Sequence, residues 1–236
     1  MKSILGTLAM CFALGAALPA QAAVLYSTDD GVGELPGGGG PPIPADIWWA
    51  QSFDTAAGGT VITDLQVAFG SALAGQRVGV NGAPVQVFLY DDSDNDGDPN
   101  TGLVRLQTVS STVQSANTNT FVNFAIPPTA VSGKFFVAAL VSDTGFDAST
   151  GTLAPNGMPA GFDQSSSAGT SWVADSSSGN IDPDNVPGTA NLSGSIINLA
   201  TFGLPGNLML RAVGVPEPST ILLLLAGASV LGLRRR

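Results

Sequence analysis

Large apolar residues recur at every second position along much of the middle of the chain. The stretches 65–69 and 85–89 both show this spacing, with polar or small residues between in the first and with Gln86 and Phe88 between in the second. Successive side chains of a β-strand point to opposite faces, so the pattern predicts strands with one buried face. The stretch 134–141 is apolar after its first residue, which predicts a central strand buried on both faces.

The same reading predicts a chain of short strands separated by turn-forming residues. The predicted strands are 24–26, 47–53, 60–69, 85–90, 103–113, 120–126, 134–141 and 207–213, with weak strands near 171–174 and 196–199. We expect Pro127 and Pro128 to end the sixth of these strands, and the glycine- and proline-rich stretch 29–44 to be a loop. Strands without amphipathic helices predict an all-β fold, an antiparallel β-sandwich that is jelly-roll-like. We expect one domain over residues 23–213, with the closing strand pairing back into a sheet.

The N-terminus has the pattern of a secretory signal peptide over residues 1–22. A basic Lys2 precedes the mostly apolar stretch 4–18, and Ala20–Ala22 forms a small-x-small cleavage site. We expect the mature chain to begin near Ala23. Cys11, the single cysteine of the chain, lies in this segment, so the exported domain is expected to have no disulfide.

The C-terminus has three parts over residues 214–236. Pro216, Glu217 and Pro218 come first, the uncharged stretch 221–233 follows, and the basic residues Arg234, Arg235 and Arg236 end the chain. The apolar part is thirteen residues long, which predicts a short hydrophobic helix, since a full membrane span takes about 20 residues. The arginines favour a cytoplasmic C-terminus.

This tail resembles the PEP-CTERM sorting signal of Gram-negative bacteria, with all three parts in order. The resemblance implies recognition and removal of the tail by an exosortase, a membrane cysteine transpeptidase. It implies an exported protein that is transiently anchored in the inner membrane by the C-terminal helix. The protein then resides at the cell surface or in the extracellular matrix, where extracellular polysaccharides are possible partners. An ordinary tail anchor and a buried C-terminal helix are the alternatives.

Charge and residue usage exclude several classes of function. The formal net charge of the chain is −10, and without the two ends it becomes −13, because Lys2 and three arginines leave with them and only one acid does. Such a chain repels nucleic acid. The chain contains no histidine, which removes Ser-His-Asp triads and histidine-ligated metal centres. We therefore expect a protein that is not an enzyme. The alternatives are a carbohydrate-binding module, with Trp48, Trp49 or Trp172 stacking on sugar rings, and a glycoside-active enzyme with paired aspartates.

One stretch has the spacing of a metal loop. Asp92, Asp94 and Asp96 alternate, a glycine follows, and Asp98 comes next. Ca²⁺ takes about six to eight oxygen ligands, and alternate carboxylates in a tight loop converge on one point. The twelfth position counted from Asp92 is a leucine, and the flanks are predicted strands, so the loop is not an EF-hand. It resembles short calcium loops of β-rich extracellular proteins, which implies structural Ca²⁺. The alternative is a solvated hairpin loop of turn-forming residues.

Overall fold

The fold is described from a computed structural model. The structure describes residues 22–37, 45–55, 59–72, 80–144, 146–147, 152–153, 159–176, 180–190 and 196–216. Residues 1–21 of the predicted signal peptide, and the tail from Glu217 onward, lie outside these residues. Within them, no helix is both long enough and apolar enough to cross a membrane.

The described residues form fifteen strands and one short helix. The strands are β1 (Val24–Tyr26), β2 (Leu35–Gly37), β3 (Ala45–Asp54), β4 (Val61–Val67), β5 (Pro84–Asp92), β6 (Leu103–Thr112), β7 (Val122–Ala130), β8 (Lys134–Thr144), β9 (Phe146–Asp147), β10 (Thr152–Leu153), β11 (Ala160–Asp163), β12 (Ser171–Ser176), β13 (Ile197–Asn198), β14 (Asn207–Leu208) and β15 (Leu210–Val215), and the helix is α1 (Val186–Thr189).

Eight of these strands form two antiparallel sheets that face each other. One sheet has the spatial order β1-β15-β4-β7, and the other contains the order β3-β8-β5-β6. The chain crosses from one sheet to the other after β1, β3, β4, β6, β7 and β8. Its last strand, β15, lies between β1 and β4. This interleaved order is that of a jelly roll. The predicted all-β antiparallel sandwich is confirmed.

Five further strands extend one side of this sandwich, and we call them the annex: β2, β11, β12, β13 and β14. In the annex, β12 and β13 continue the large sheet beyond β3, while β14, β11 and β2 form a separate three-stranded sheet in that order. Most of the annex comes from the long connection between β8 and β15. The prediction had placed weak strands at β12 and β13, but it treated residues 29–44 as loop throughout, where β2 lies, and it did not include β11.

The main core lies between the two sheets of the jelly roll. Strand β8 pairs with β3 on one side and with β5 on the other, so the predicted central position of this apolar run is correct. Phe135 is fully buried and meets Tyr26 edge-on at 5.1 Å between ring centroids. Tyr26 in turn donates from its hydroxyl to the carbonyl of Gly59, at 2.9 Å, so its polar end is satisfied inside the core.

A second, smaller core covers the outer face of the large sheet. Trp48 and Phe136 project to this side, where Ile181, Val186 and Ile196 from the segments 180–190 and 196–199 pack over them. The large sheet is therefore apolar on both faces. This explains why its strands show runs of apolar residues instead of strict alternation.

Strand β7 extends further than predicted. Strand β7 runs through Pro127 and Pro128 to Ala130, although we expected the prolines to end it. It lies at the edge of its sheet, and its pairing with β4 is interrupted between Ile62 and Asp64, opposite the prolines. Proline is tolerated at such edges and irregularities because no ladder hydrogen bond is required of it there.

The closing strand pairs back into the sheet as predicted. Strand β15 lies between β1 and β4, and Val24 pairs with Gly214. The first and last strands of the jelly roll are therefore neighbours, and the two ends of the domain leave it at the same place.

Candidate functional site: an acidic hairpin loop

The predicted metal loop connects two paired strands. Strand β5 ends at Asp92 and its antiparallel neighbour β6 begins at Leu103, with these two residues paired to each other. The neck of the loop is closed by Ser93, whose backbone N–H and hydroxyl both donate to the carbonyl of Gly102 at 2.9 Å. The acidic residues thus lie in a loop whose two ends are fixed by the sheet.

The loop folds around the carboxylate of Asp92. One oxygen of Asp92 accepts from the backbone N–H of Asn95 at 3.1 Å, and the other accepts from that of Gly97 at 2.7 Å. Asn95 and Gly97 have φ values of 60° and 85°, in the left-handed region that asparagine and glycine adopt most readily. The sequence folds into this shape because it places tolerant residues where the backbone reverses.

The structure brings three of the four predicted ligands together. Single carboxylate oxygens of Asp92, Asp94 and Asp96 all lie within 4.8 Å of one another. Asp98 is outside this group: its carboxylate accepts from the backbone N–H of Asn100 at 3.0 Å and from the side-chain amide of the same residue at 2.7 Å. Asp98 therefore shapes the turn next to the group.

The carboxylates of this group influence one another's protonation. Burial raises the pKa of Asp92, and a hydrogen bond with Asp94 raises it further, while the Gly97 N–H opposes the change. The pKa of Asp94 is lowered because this carboxylate receives hydrogen bonds from Asp92 and Thr101. A proton between the two carboxyls relieves their repulsion. A divalent cation would relieve it in the same way.

The loop is also attached to two neighbouring parts of the domain. The side-chain oxygen of Asn95 accepts from the backbone N–H of Lys134 at 2.7 Å. Asn100 pairs with the backbone of Ile196 in both directions: its amide donates to the carbonyl at 3.0 Å, and its oxygen accepts from the N–H at 2.9 Å. The loop thus connects strand β8 of the jelly roll to the segment that covers the outer face.

A second acidic group was not predicted from the sequence. Oxygens of Asp30, Glu34 and Asp163 also lie within 4.8 Å of one another. Asp163 is fully buried and accepts from the backbone N–H groups of Asp30 and Ser165, at 3.0 and 2.7 Å. Asp163 is far from Asp30 and Glu34 in sequence, so no spacing could have revealed the whole group; the signal in the sequence was the isolated Glu34 in an otherwise glycine-rich stretch.

The tryptophans divide between the two cores. Trp48 and Trp49 point to opposite faces, as predicted for neighbours on a strand, and both are buried, at 0% and 1% exposure. Trp48 meets Tyr90 edge-on at 6.1 Å in the outer core, and Trp49 belongs to the main core. Neither forms an exposed stacking platform. Trp172 lies half-buried against the outer core.

Comparison with known families decides the nature of the tail. The family model described as the PEP-CTERM protein-sorting motif matches residues 214–236. The chain carries a PEP-CTERM sorting motif. The tail is thus that of an exported, surface-directed protein that is processed by an exosortase. The match begins at Gly214, within the last two residues of β15, and it contains all six predicted sorting residues, of which only Pro216 is among the described residues.

The domain is similar to two solved structures at low sequence identity. One is the crystal structure of the cysteine protease and lectin-like domains of Cwp84, a surface layer associated protein of Clostridium difficile, with a TM-score of 0.45 and 12% identity over 73% of this chain and 32% of that one. A second is the clostridial cysteine protease Cwp84 after propeptide cleavage, with a TM-score of 0.48 and 12% identity over 83% of this chain and 40% of that one. This chain therefore spans well under half of either structure. A search of curated proteins finds no significant match.

Proposed function

We propose that this protein is a non-catalytic component of the cell envelope or extracellular matrix. In this proposal the apolar stretch 221–233 holds the exported chain in the inner membrane until exosortase cleaves near Pro216. The jelly roll is then released to the surface or into extracellular polysaccharide. The absence of histidine from the sequence supports a non-catalytic role, since it removes the commonest general base.

The observation that carries this proposal is the sorting motif directly after a core strand. Strand β15 ends at Val215, is paired on both sides, and is followed at once by Pro216. Its neighbour β1 begins at Val24, next to the predicted signal-peptide cleavage site. Both export signals are thus attached at one edge of the domain. Their removal would leave every strand of the jelly roll in place.

The intact mass of the protein from native membrane and culture-supernatant fractions tests this processing. We expect a supernatant species that begins near Ala23 and ends close to Pro216. A variant in which Arg234, Arg235 and Arg236 are replaced by serine serves as a control for the sorting signal and should remain unprocessed. A chain that retains Arg236 and stays in the membrane would show that the tail is an anchor and not a sorting signal.

For the acidic loop, we propose a structural Ca²⁺ held by Asp92, Asp94 and Asp96. Three convergent carboxylates supply part of the oxygen shell that Ca²⁺ requires, and backbone carbonyls and water would supply the rest. Because the loop joins β5 to β6 and contacts both Lys134 and Ile196, the ion would stabilise the hairpin and its two attachments together. A domain expected to have no disulfide would gain a cross-link in this way.

Calorimetry with and without millimolar Ca²⁺ tests the metal site. A ligand at about a hundred times its Kd stabilises a folded protein by about 2.7 kcal/mol, so Tm should rise by several degrees. Asp94→Asn removes an exposed member of the group and should abolish the rise. Asp98→Asn, with the same change of charge outside the group, should retain most of it. A wild-type Tm that Ca²⁺ leaves unchanged would contradict the proposal.

A further inference from the structure

The annex encloses a cavity that none of the sites above uses. The cavity has a volume of about 330 Å³ and lies between the sheet β14-β11-β2 and the inner faces of β3, β12 and β13. Its wall is mainly apolar. The larger residues in it are Leu35, Trp49, Phe162, Val173, Leu199 and Leu208. A volume of this size is at the lower end of small-molecule pockets and equals that of about ten water molecules.

Among the described residues that line this apolar cavity, one side chain is charged. Trp49 pairs with Val173, and Ile47 pairs with Asp175, so alternation along β12 places Asp175 on the same inner face as Val173. The neighbours Trp172 and Ala174 pack on the outer core instead. A carboxyl therefore faces a cavity whose described wall is otherwise mainly apolar.

One oxygen of the Asp175 carboxyl has no partner within the described part of the chain. This Oδ1 atom is buried and makes no hydrogen bond there; burial raises the pKa of the group, and a hydrogen bond from its own backbone N–H opposes the rise. The other described residues that line the cavity include no lysine, arginine or further titratable side chain. Glu34 is close by, bound to the backbone N–H of Gln164 at the rim. A half-buried carboxylate with one unpaired oxygen is costly to keep charged, and it favours a cation or a strong donor.

The cavity also has an apolar entrance. Phe202 and Leu204 line it and are 66% and 45% exposed, which is high for side chains of this size. Exposed apolar side chains at the rim of a pocket are typical of ligand-binding grooves. An apolar molecule could thus be in contact with the rim and the wall at once.

We propose that the annex cavity binds a small apolar molecule that carries an ammonium group. The ammonium would pair with the Asp175 carboxylate, and the apolar body would lie against Trp49 and Phe162. Two features support a cation over a neutral or anionic ligand: the one charged group of the described lining is an acid, and the chain as a whole has a net charge of −10. The aromatic walls would also favour a cation through their ring faces.

The proposal is tested with three probes of equal length: hexylamine, hexanol and hexanoate. Binding is followed by calorimetry at 0.15 M salt, where non-specific attraction to an acidic surface is screened. A charge-assisted hydrogen bond is worth about 1.5–3 kcal/mol, so hexylamine should bind about tenfold more tightly than hexanol, or better, and hexanoate should bind most weakly. Equal binding of the amine and the alcohol would overturn the proposal, as would the failure of all three to bind.

The position of the ligand is tested by the indole N–H resonances of the tryptophans. The Nε1 of Trp49 is buried and has no partner among the described residues, so its resonance should shift when hexylamine enters the cavity. Trp48 belongs to the opposite face and serves as an internal control that should not shift. Shifts of similar size at both indoles would place the ligand elsewhere and overturn the assignment.

Two matched variants separate Asp175 from the general charge of the protein. Asp175→Asn should remove the preference for hexylamine over hexanol while hexanol binding remains. Asp64→Asn on β4 makes the same change of charge on the other sheet and should retain the preference. If Asp175→Asn does not fold, the pH dependence of the wild type replaces it: acidification that protonates Asp175 should weaken amine binding and leave hexanol binding unchanged. A preference that survives either treatment would overturn the proposal.

Discussion

The jelly roll and the annex are built from the same kind of strand, but their interiors are stabilised differently. Between the jelly-roll sheets, fully buried Leu65, Val67 and Phe135 pack as apolar side chains. In the annex, buried polar groups add specific contacts to the apolar packing: the hydroxyl of Ser171 donates to Gln51 at 2.6 Å and accepts from the backbone N–H of Leu208 at 3.0 Å. The first interior is held by apolar packing, and the second combines apolar packing with specific hydrogen bonds.

Short strands explain this difference. Strands β13 and β14 have two residues each and β11 has four, so they present few apolar side chains to a common core. Side-chain hydrogen bonds then help to hold these strands in position. Asn207, for example, is fully buried, donates to Ser166 and accepts from the backbone of Ala168 at 2.9 Å. An interior arranged by polar contacts can leave a cavity unfilled. A close-packed apolar interior rarely does.

The largest predicted effect compares one truncation in each interior. Phe135→Ala in the jelly roll should lower the free energy of unfolding by about 3–5 kcal/mol, because the ring is fully buried among aromatic neighbours. Leu199→Ala in the annex should cost only about 2 kcal/mol, since the side chain already borders a cavity. Urea unfolding of both variants measures the difference.

The slopes of these unfolding curves are part of the test. Similar slopes for the wild type and both variants would show that annex and jelly roll unfold together. Equal losses of free energy for Phe135→Ala and Leu199→Ala would contradict the view that the annex is the less tightly packed of the two.

A smaller effect is expected at the link between the acidic loop and the outer cover. Asn100→Ala removes both hydrogen bonds to the backbone of Ile196 and leaves those backbone groups without their partner. We expect a loss of about 1–3 kcal/mol, the usual cost of an unsatisfied buried polar group. Amide hydrogen exchange at Ile196 should accelerate strongly, while exchange within β8 should accelerate only as far as global stability falls. Unchanged protection at Ile196 would show that the link is not needed.

Tyr90→Phe is expected to have a milder consequence. The hydroxyl of Tyr90 donates to the carbonyl of Pro183 at 3.0 Å, which ties the outer cover to the large sheet. The variant keeps the ring against Trp48 and loses one hydrogen bond, so it should cost about 0.5–1.5 kcal/mol. Thermal unfolding measures this loss. A cost near that of Phe135→Ala would mean that the outer cover contributes more to stability than its size suggests.

The jelly roll could be predicted from sequence because local patterns determine most of it. Alternation identified β4 and β5, and the apolar run identified β8 as central. The prediction was wrong at Pro127 and Pro128 because edge position is a tertiary property that no local pattern shows. Strand β11 was missed since Ala160–Asp163 has no alternation, and its partners β2 and β14 are distant in the chain.

The candidate sites, like the strands, could be predicted where local sequence determines them. The spacing of Asp92, Asp94 and Asp96 within one loop indicated that their carboxylates converge, and the structure brings them together. The second acidic group combines Asp30 with Asp163, which only the tertiary fold makes neighbours. The annex cavity depends on strands between residues 35 and 208. Sequence spacing can predict a site that one loop supplies, whereas a site supplied by several strands requires the fold.

The smallest effect is expected from Asp175→Asn, and it is visible only as a pH dependence. Burial raises the pKa of Asp175 in the folded protein, so this state binds the proton more tightly than the unfolded chain. The stability that Asp175 contributes is therefore present at acidic pH, and it is lost as the pH rises from the ordinary pKa of an aspartate through the raised value. Since the residue is half-buried, solvent screens part of the effect. The free energy of unfolding of the Asn variant, minus that of the wild type, should increase with pH across this window in urea titrations. A difference independent of pH would mean that the annex accommodates the carboxylate as readily as water does. The annex and the jelly-roll core would then differ in packing but not in the cost of a buried charge.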